Sequence, residues 1–104
     1  MRMAGLIPAL IAFETASSRV DAWGRLIELS PSGAKMTTQS ELREGDAVEL
    51  SFQVAGESFR MPARVSWSEL DADGYWSGEI RFYDEIKKRS LAQTLLDVIS
   101  RQAP

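Results

Sequence analysis

Glu28, Ser30 and Gly33 surround Pro31 and Ser32 in the stretch Glu28-Leu29-Ser30-Pro31-Ser32-Gly33. On a strand, residues two apart share a face, so Glu28 and Ser30 set a carboxylate beside a hydroxyl at a strand end. Pro31 presets φ, Ser32 can bond its own backbone, and Gly33 accepts φ > 0. A tight turn with bare glycine backbone next to two polar groups is expected. Such a place suits a small polar ligand; a hairpin turn with no ligand is the alternative.

Composition narrows the chemistry. The 104 residues suit one domain and contain neither cysteine nor histidine. That excludes disulfides, thiol catalysis and thiolate metal sites, and removes the commonest general base. Glu28 with Glu14 is a formal acid/base pair, but no nucleophile accompanies it, and the chain is read as not an enzyme, with no catalytic residue and no metal. A net charge of −3 argues against a broad nucleic-acid binder. The longest apolar run, Leu6 to Phe13, contains Pro8 and is far shorter than the ~20 residues of a membrane span. A cytoplasmic protein without membrane contact is expected.

Strands and one helix must position these residues. The run 6–16 is read as a strand with Pro8 at its beginning or on an edge. A second strand over 20–29 places Trp23, Ile27 and Leu29 on one parity, with Gly24 as a bulge signal. A short strand, Ala34 to Thr38, follows the central turn, and Leu42 is an isolated apolar anchor beyond it. Val48, Leu50, Phe52 and Val54 alternate with polar residues, as do Phe59, Met61, Ala63, Val65 and Trp67 across the Ala55-Gly56-Glu57 turn, the mark of a β-hairpin. Asp71-Ala72-Asp73-Gly74 turns into a last strand over 75–83. Positions 48, 50, 52, 59, 61, 63, 65, 80 and 82 form the expected core. Asp84 is an N-cap signal, and Ile86, Leu91, Leu95, Val98 and Ile99 recur at helical spacing, so a helix runs from about 85 to 101. The fold class is all-β: six short antiparallel strands in a closed barrel or sandwich, with a C-terminal helix.

At this point the sequence resembles a PilZ domain over about residues 20–84. Glu28, Ser30 and Gly33 fall where family members carry Asp or Asn, Ser and Gly. Gly24-Arg25-Leu26-Ile27 and Gly33-Ala34 match the flanks, Ala63-Arg64-Val65-Ser66-Trp67 the fifth-strand segment, and Gly78-Glu79-Ile80-Arg81-Phe82 the closing strand. The resemblance implies a six-stranded β-barrel and a place in cyclic di-GMP signalling. It also implies two arginines, four apart, before the first strand, which grip the ligand's phosphates and bases; guanidinium forks onto phosphate and stacks on flat rings. Here Arg2 takes the first place and Leu6 the second, Arg19 follows the first strand, and Glu28 is one methylene longer than aspartate.

Two readings follow. In one, this is a bacterial signalling domain with weak or absent nucleotide binding, regulating through protein contacts. In the other, it is a genuine cyclic di-GMP receptor with a modified clamp of Glu28, Ser30 and Gly33, helped by Arg2 or Arg19. A third reading, an OB-like nucleic-acid barrel using Trp23, Trp67 and Trp76, is opposed by the acidic charge; Trp67 and Trp76 read better as packing. Lys87-Lys88-Arg89 reads as a solvated helix face, Arg60 as a cross-strand partner of Glu49, and Glu69, Asp71 and Asp73 as a turn rather than a calcium site. The helix face of Leu91, Leu95, Leu96, Val98 and Ile99 is wide enough to serve a protein partner or a homodimer.

Overall fold

The structure, a computed structural model, describes residues 3–14 and 19–102. Six strands precede one helix: β1 (Met3–Phe13), β2 (Ala22–Ser30), β3 (Gly33–Thr38), β4 (Ala47–Val54), β5 (Glu57–Leu70), β6 (Trp76–Phe82) and α1 (Glu85–Gln102). Every pairing is antiparallel, in the order β1-β2-β3-β6-β5-β4, and β4 pairs back onto β1 to close the barrel. The closing ladder joins Ala9–Phe13 to Val48–Phe52, which covers most of the edge an open sheet would leave. β1 starts earlier than the expected residue 6 and ends at Phe13, with Glu14 already outside it; residues 15 and 16 of the expected strand lie outside the described residues.

The alternating segments behave as their period dictates. In β4, and in β5 as far as Val65, every second side chain points inward, and all nine expected core positions are buried. Their hairpin turns on Ala55 and Gly56 at φ 52° and 83°; two positive φ values match the right-handed strand twist. Leu42, in the loop before β4, is fully buried, as its isolation among polar residues suggests. It packs above Gly78, where a Cβ would come within 2.8 Å of Leu42 Cδ1.

Parity fails in two strands because of bulges. Leu26 pairs with Met36 and Glu28 with Lys35, so Ile27 is an extra residue in β2. Leu26 and Leu29 therefore both face the core, while Trp23 and Ile27 face solvent, which corrects the single-parity reading of Trp23, Ile27 and Leu29. Likewise Val65 pairs with Ile80 and Trp67 with Glu79, making Ser66 the extra residue in β5. The bulge turns Trp67 outward, 48% exposed, not into the barrel. Trp76 does pack against the core. Gly24 marks no bulge: it pairs with Thr38 and Ala9, and a Cβ there would meet Thr37 O at 2.7 Å.

The helix begins where Asp84 caps it, its Oδ1 accepting from the Lys87 N–H at 3.0 Å. Leu91 and Leu95 are fully buried against the barrel. Thr94 Oγ1 donates to Glu57 Oε2 at 2.8 Å and Lys87 Nζ to the Arg60 carbonyl at 2.9 Å, tying the helix to the β4–β5 hairpin. Ile86, expected on the apolar face, is 78% exposed. It stands about 140° around the helix from Leu91, so the side that buries Leu91 and Leu95 turns Ile86 outward.

Candidate functional site

The β2–β3 turn consists of Pro31 and Ser32, since Ser30 and Gly33 are paired across it. β6 lies beside β3, and the Phe82 N–H donates to the Ser32 carbonyl at 3.0 Å, pinning the turn to the last strand. Between turn and strand lies a pocket of about 280 Å³. Glu28, Ser30 and Gly33 all line it, together with Ser32, Lys35, Glu79 and Arg81. Ser30 Oγ lies 3.1 Å from Ser32 Oγ and 3.3 Å from the Gly33 carbonyl, to which it donates.

Two cross-strand rows set the electrostatics. In the first, Glu28, Lys35 and Glu79 are register partners across β2, β3 and β6, with Lys35 Nζ 3.9 Å from Glu28 Oε2. In the second, Ser30, Gly33 and Arg81 are partners, and Arg81 Nη2 lies 3.5 Å from Glu79 Oε1. Each cation of the pocket thus already neighbours a carboxylate. Glu79 and Arg81 were not legible as site residues, because only the β3–β6 pairing, remote in sequence, brings them to the turn; Lys35, two residues past Gly33 and paired with Glu28 in the same hairpin, is a local neighbour that the reading of the turn missed.

Gly33 serves the site differently from expectation. It is not among the positive-φ glycines, which are Gly45, Gly56 and Gly74. A Cβ on Gly33 would lie 2.2 Å from the Ile80 carbonyl oxygen. The glycine is needed for the close approach of β3 to β6, not for a left-handed turn.

Of the two arginines proposed for a clamp, only Arg19 is among the described residues, and it lies away from the turn. Arg2 lies outside the described residues. Arg19 lies before β2, whose nine residues span roughly 26 Å to Ser30. There it ion-pairs with Asp46 at 2.8 Å, donates to the Glu41 carbonyl, and covers the Phe13 ring at 3.7 Å; it does not line the pocket. Leu6, at the second arginine place, is 66% exposed in a bulge of β1 between the Ala4–Glu28 and Ile7–Leu26 pairs.

Other candidates resolve simply. Arg60 Nε pairs with Glu49 Oε1 at 3.2 Å, the cross-strand contact expected. Asp71 Oδ1 accepts from the N–H groups of Asp73 and Tyr75 at 2.9 and 3.0 Å, so that carboxylate builds the turn. Among the described residues no group of three or more acidic side chains is placed to hold a metal, and no helix is long and apolar enough to cross a membrane. The Arg43 guanidinium is raised above its ordinary range by its hydrogen bond and attraction to Glu41, and it lies on an exposed loop outside the pocket. On the helix, Leu91 and Leu95 are consumed by the barrel and Val98 is partly buried, which leaves Leu96 and Ile99 of the expected partner face at the surface.

Comparison with known proteins agrees with this architecture. The PilZ domain family model matches residues 2–100. No curated protein matches the sequence. Among the solved structures that share the fold are the PilZ domain of CeSA from a cellulose-synthesizing bacterium (TM-score 0.63, 19% identity, covering 94% of this chain and 97% of that one), and the PilZ domain of YcgR from Escherichia coli, solved with c-di-GMP (TM-score 0.68, 16% identity, covering 98% and 90%). With the family model spanning nearly the whole chain and the closed six-stranded barrel as its fold, this protein belongs to the PilZ domain family.

Proposed function

We propose that this is a non-catalytic regulatory PilZ domain whose own nucleotide binding is weak or absent and whose output runs through protein contacts. The observation that carries the reading is the charge of the turn pocket. Among the described residues, Glu28 and Glu79 balance Lys35 and Arg81, each cation within 4 Å of a carboxylate. A ligand with two phosphates needs a net positive cradle. The position where the family resemblance asks for the second arginine holds Leu6, and Arg19 is engaged elsewhere by Asp46 and Phe13.

Calorimetric titration of cyclic di-GMP tests the reading. The unaltered protein is expected to give little or no heat at low salt. Leu6→Arg, at a bulge position 66% exposed and therefore free to accept a longer side chain, is expected to raise affinity. One charge-assisted hydrogen bond contributes about 1.5–3 kcal/mol, or roughly ten- to hundredfold. Micromolar binding by the unaltered chain, weakened by salt and by Ser30→Ala, would overturn the proposal in favour of a receptor with a modified clamp.

A further inference from the structure

The barrel carries a second concavity that shares no lining residue with the turn pocket. It is a groove of about 530 Å³ across the outer faces of β2, β1, β4 and β5. Its floor row runs Trp23, Leu10, Ser51, Arg60, each the register partner of the next. Pro8 and Ile7 extend its apolar wall, and Phe52 and Phe59 stack at 5.8 Å beneath it. Trp23 is 68% exposed there, an amphipathic ring of the kind that anchors interfaces.

We propose that this groove docks an acidic amphipathic helix of a partner protein. The inference deepens the protein-contact part of the proposed function and rests on it. Three observations choose the occupant. First, in a chain of net charge −3, no carboxylate among the described residues lines the groove, whereas Arg60 does. Arg25, the register partner of Pro8, stands exposed at its rim and makes no ion pair among the described residues. Arg60 is bonded to Glu49, but its side chain is 74% exposed and can take a second carboxylate. Second, the floor crosses three inter-strand spacings, roughly 14 Å, which admits a helix of about 10–12 Å diameter. An added strand would find only the short stretch of β1 before Ala9 that β4 leaves unpaired, where Pro8 has no N–H to donate. Third, a second copy of this chain is a poor occupant. The exposed helix ridge of Leu96 and Ile99 carries Arg89 and Glu85 two and three turns earlier on the same face, so it offers no net negative charge to the arginine-bearing rim.

The test is selection from a displayed library of random peptides of about 16 residues, some four helical turns, against the whole protein. Enriched sequences are expected to be net acidic, with apolar residues at i, i+3 or i+4, and i+7. The best synthetic peptide should bind about tenfold or more weaker to Trp23→Ala and severalfold weaker to Arg25→Glu, with an affinity that falls as salt rises. Circular dichroism verifies that both variants, altered at exposed positions, remain folded. Any of four results overturns the proposal: no enrichment, basic or aperiodic sequences, binding indifferent to Trp23→Ala, or sedimentation showing a dimer that Trp23→Ala dissociates. Tight cyclic di-GMP binding would refute the proposed function while leaving the peptide result standing, so the two failures are distinguishable.

Discussion

Replacing Gly33 by alanine separates two explanations of the same glycine. If the turn needed left-handed backbone, Gly33→Ala would cost what a φ > 0 alanine costs, about 1–2 kcal/mol. Gly33 has no positive φ, however; its missing Cβ makes room for a neighbouring strand. The added carbon would sit 2.2 Å from the Ile80 carbonyl oxygen and 3.2 Å from Arg81 Cα. Both are backbone atoms of a strand paired on its two sides, to β3 and to β5, so they cannot yield as a flexible side chain would. Relief requires β3 and β6 to separate, which lengthens the ladder around Ala34–Ile80 and unseats two core residues. Overpacking of this kind costs about 1–3 kcal/mol, and the backbone obstacle puts Gly33→Ala at the upper end, near ~3 kcal/mol. For a domain of this size that lowers Tm by roughly 12–24 °C. Gly56→Ala is the control: it has φ 83° and nothing within 4 Å of a Cβ, so it pays only the left-handed penalty. Urea and thermal unfolding of both variants measure the difference. A Gly33→Ala protein as stable as wild type, or less affected than Gly56→Ala, would refute the close-approach argument.

Other substitutions probe the frame around the site. Leu42→Ala empties a fully buried position under the 39–46 loop and should cost about 2–5 kcal/mol by urea unfolding. Arg19→Met removes the Asp46 ion pair and the Phe13 contact, both on largely buried side chains; it should cost roughly 1–3 kcal/mol while leaving any cyclic di-GMP isotherm unchanged, whereas a changed isotherm would place Arg19 in the clamp after all. Asp84→Ala removes the cap on the Lys87 N–H and should cost about 1 kcal/mol, seen as reduced helical circular dichroism and earlier amide exchange in α1.

The alternating strands β4, β5 and β6, the Ala55–Gly56 turn, the capped helix and the isolated anchor Leu42 were all legible, because each is a local pattern with a local cause. The site was half legible for the same reason. Glu28, Ser30, Gly33 and Lys35 lie within one hairpin, but Glu79 and Arg81 join them only through the β3–β6 pairing, which spans more than forty residues of chain. What alternation could not carry is bulge position. A barrel of six strands must bend sharply, and an extra residue in one strand of a pair provides that bend. Ile27 and Ser66 are such residues, and neither residue type marks a bulge by itself. Each shifts the parity of everything beyond it. Leu26 and Leu29, three apart, both enter the core, and Trp67, two after the buried Val65, leaves it. The burial pattern of a strand with one slipped residue is readable only when the apolar positions on both sides are known to face the same core. The bulge in β2 also falls next to Glu28, so the slip that hides Leu29 inside the barrel is what leaves Glu28 outside, in register with Lys35 and on the wall of the pocket.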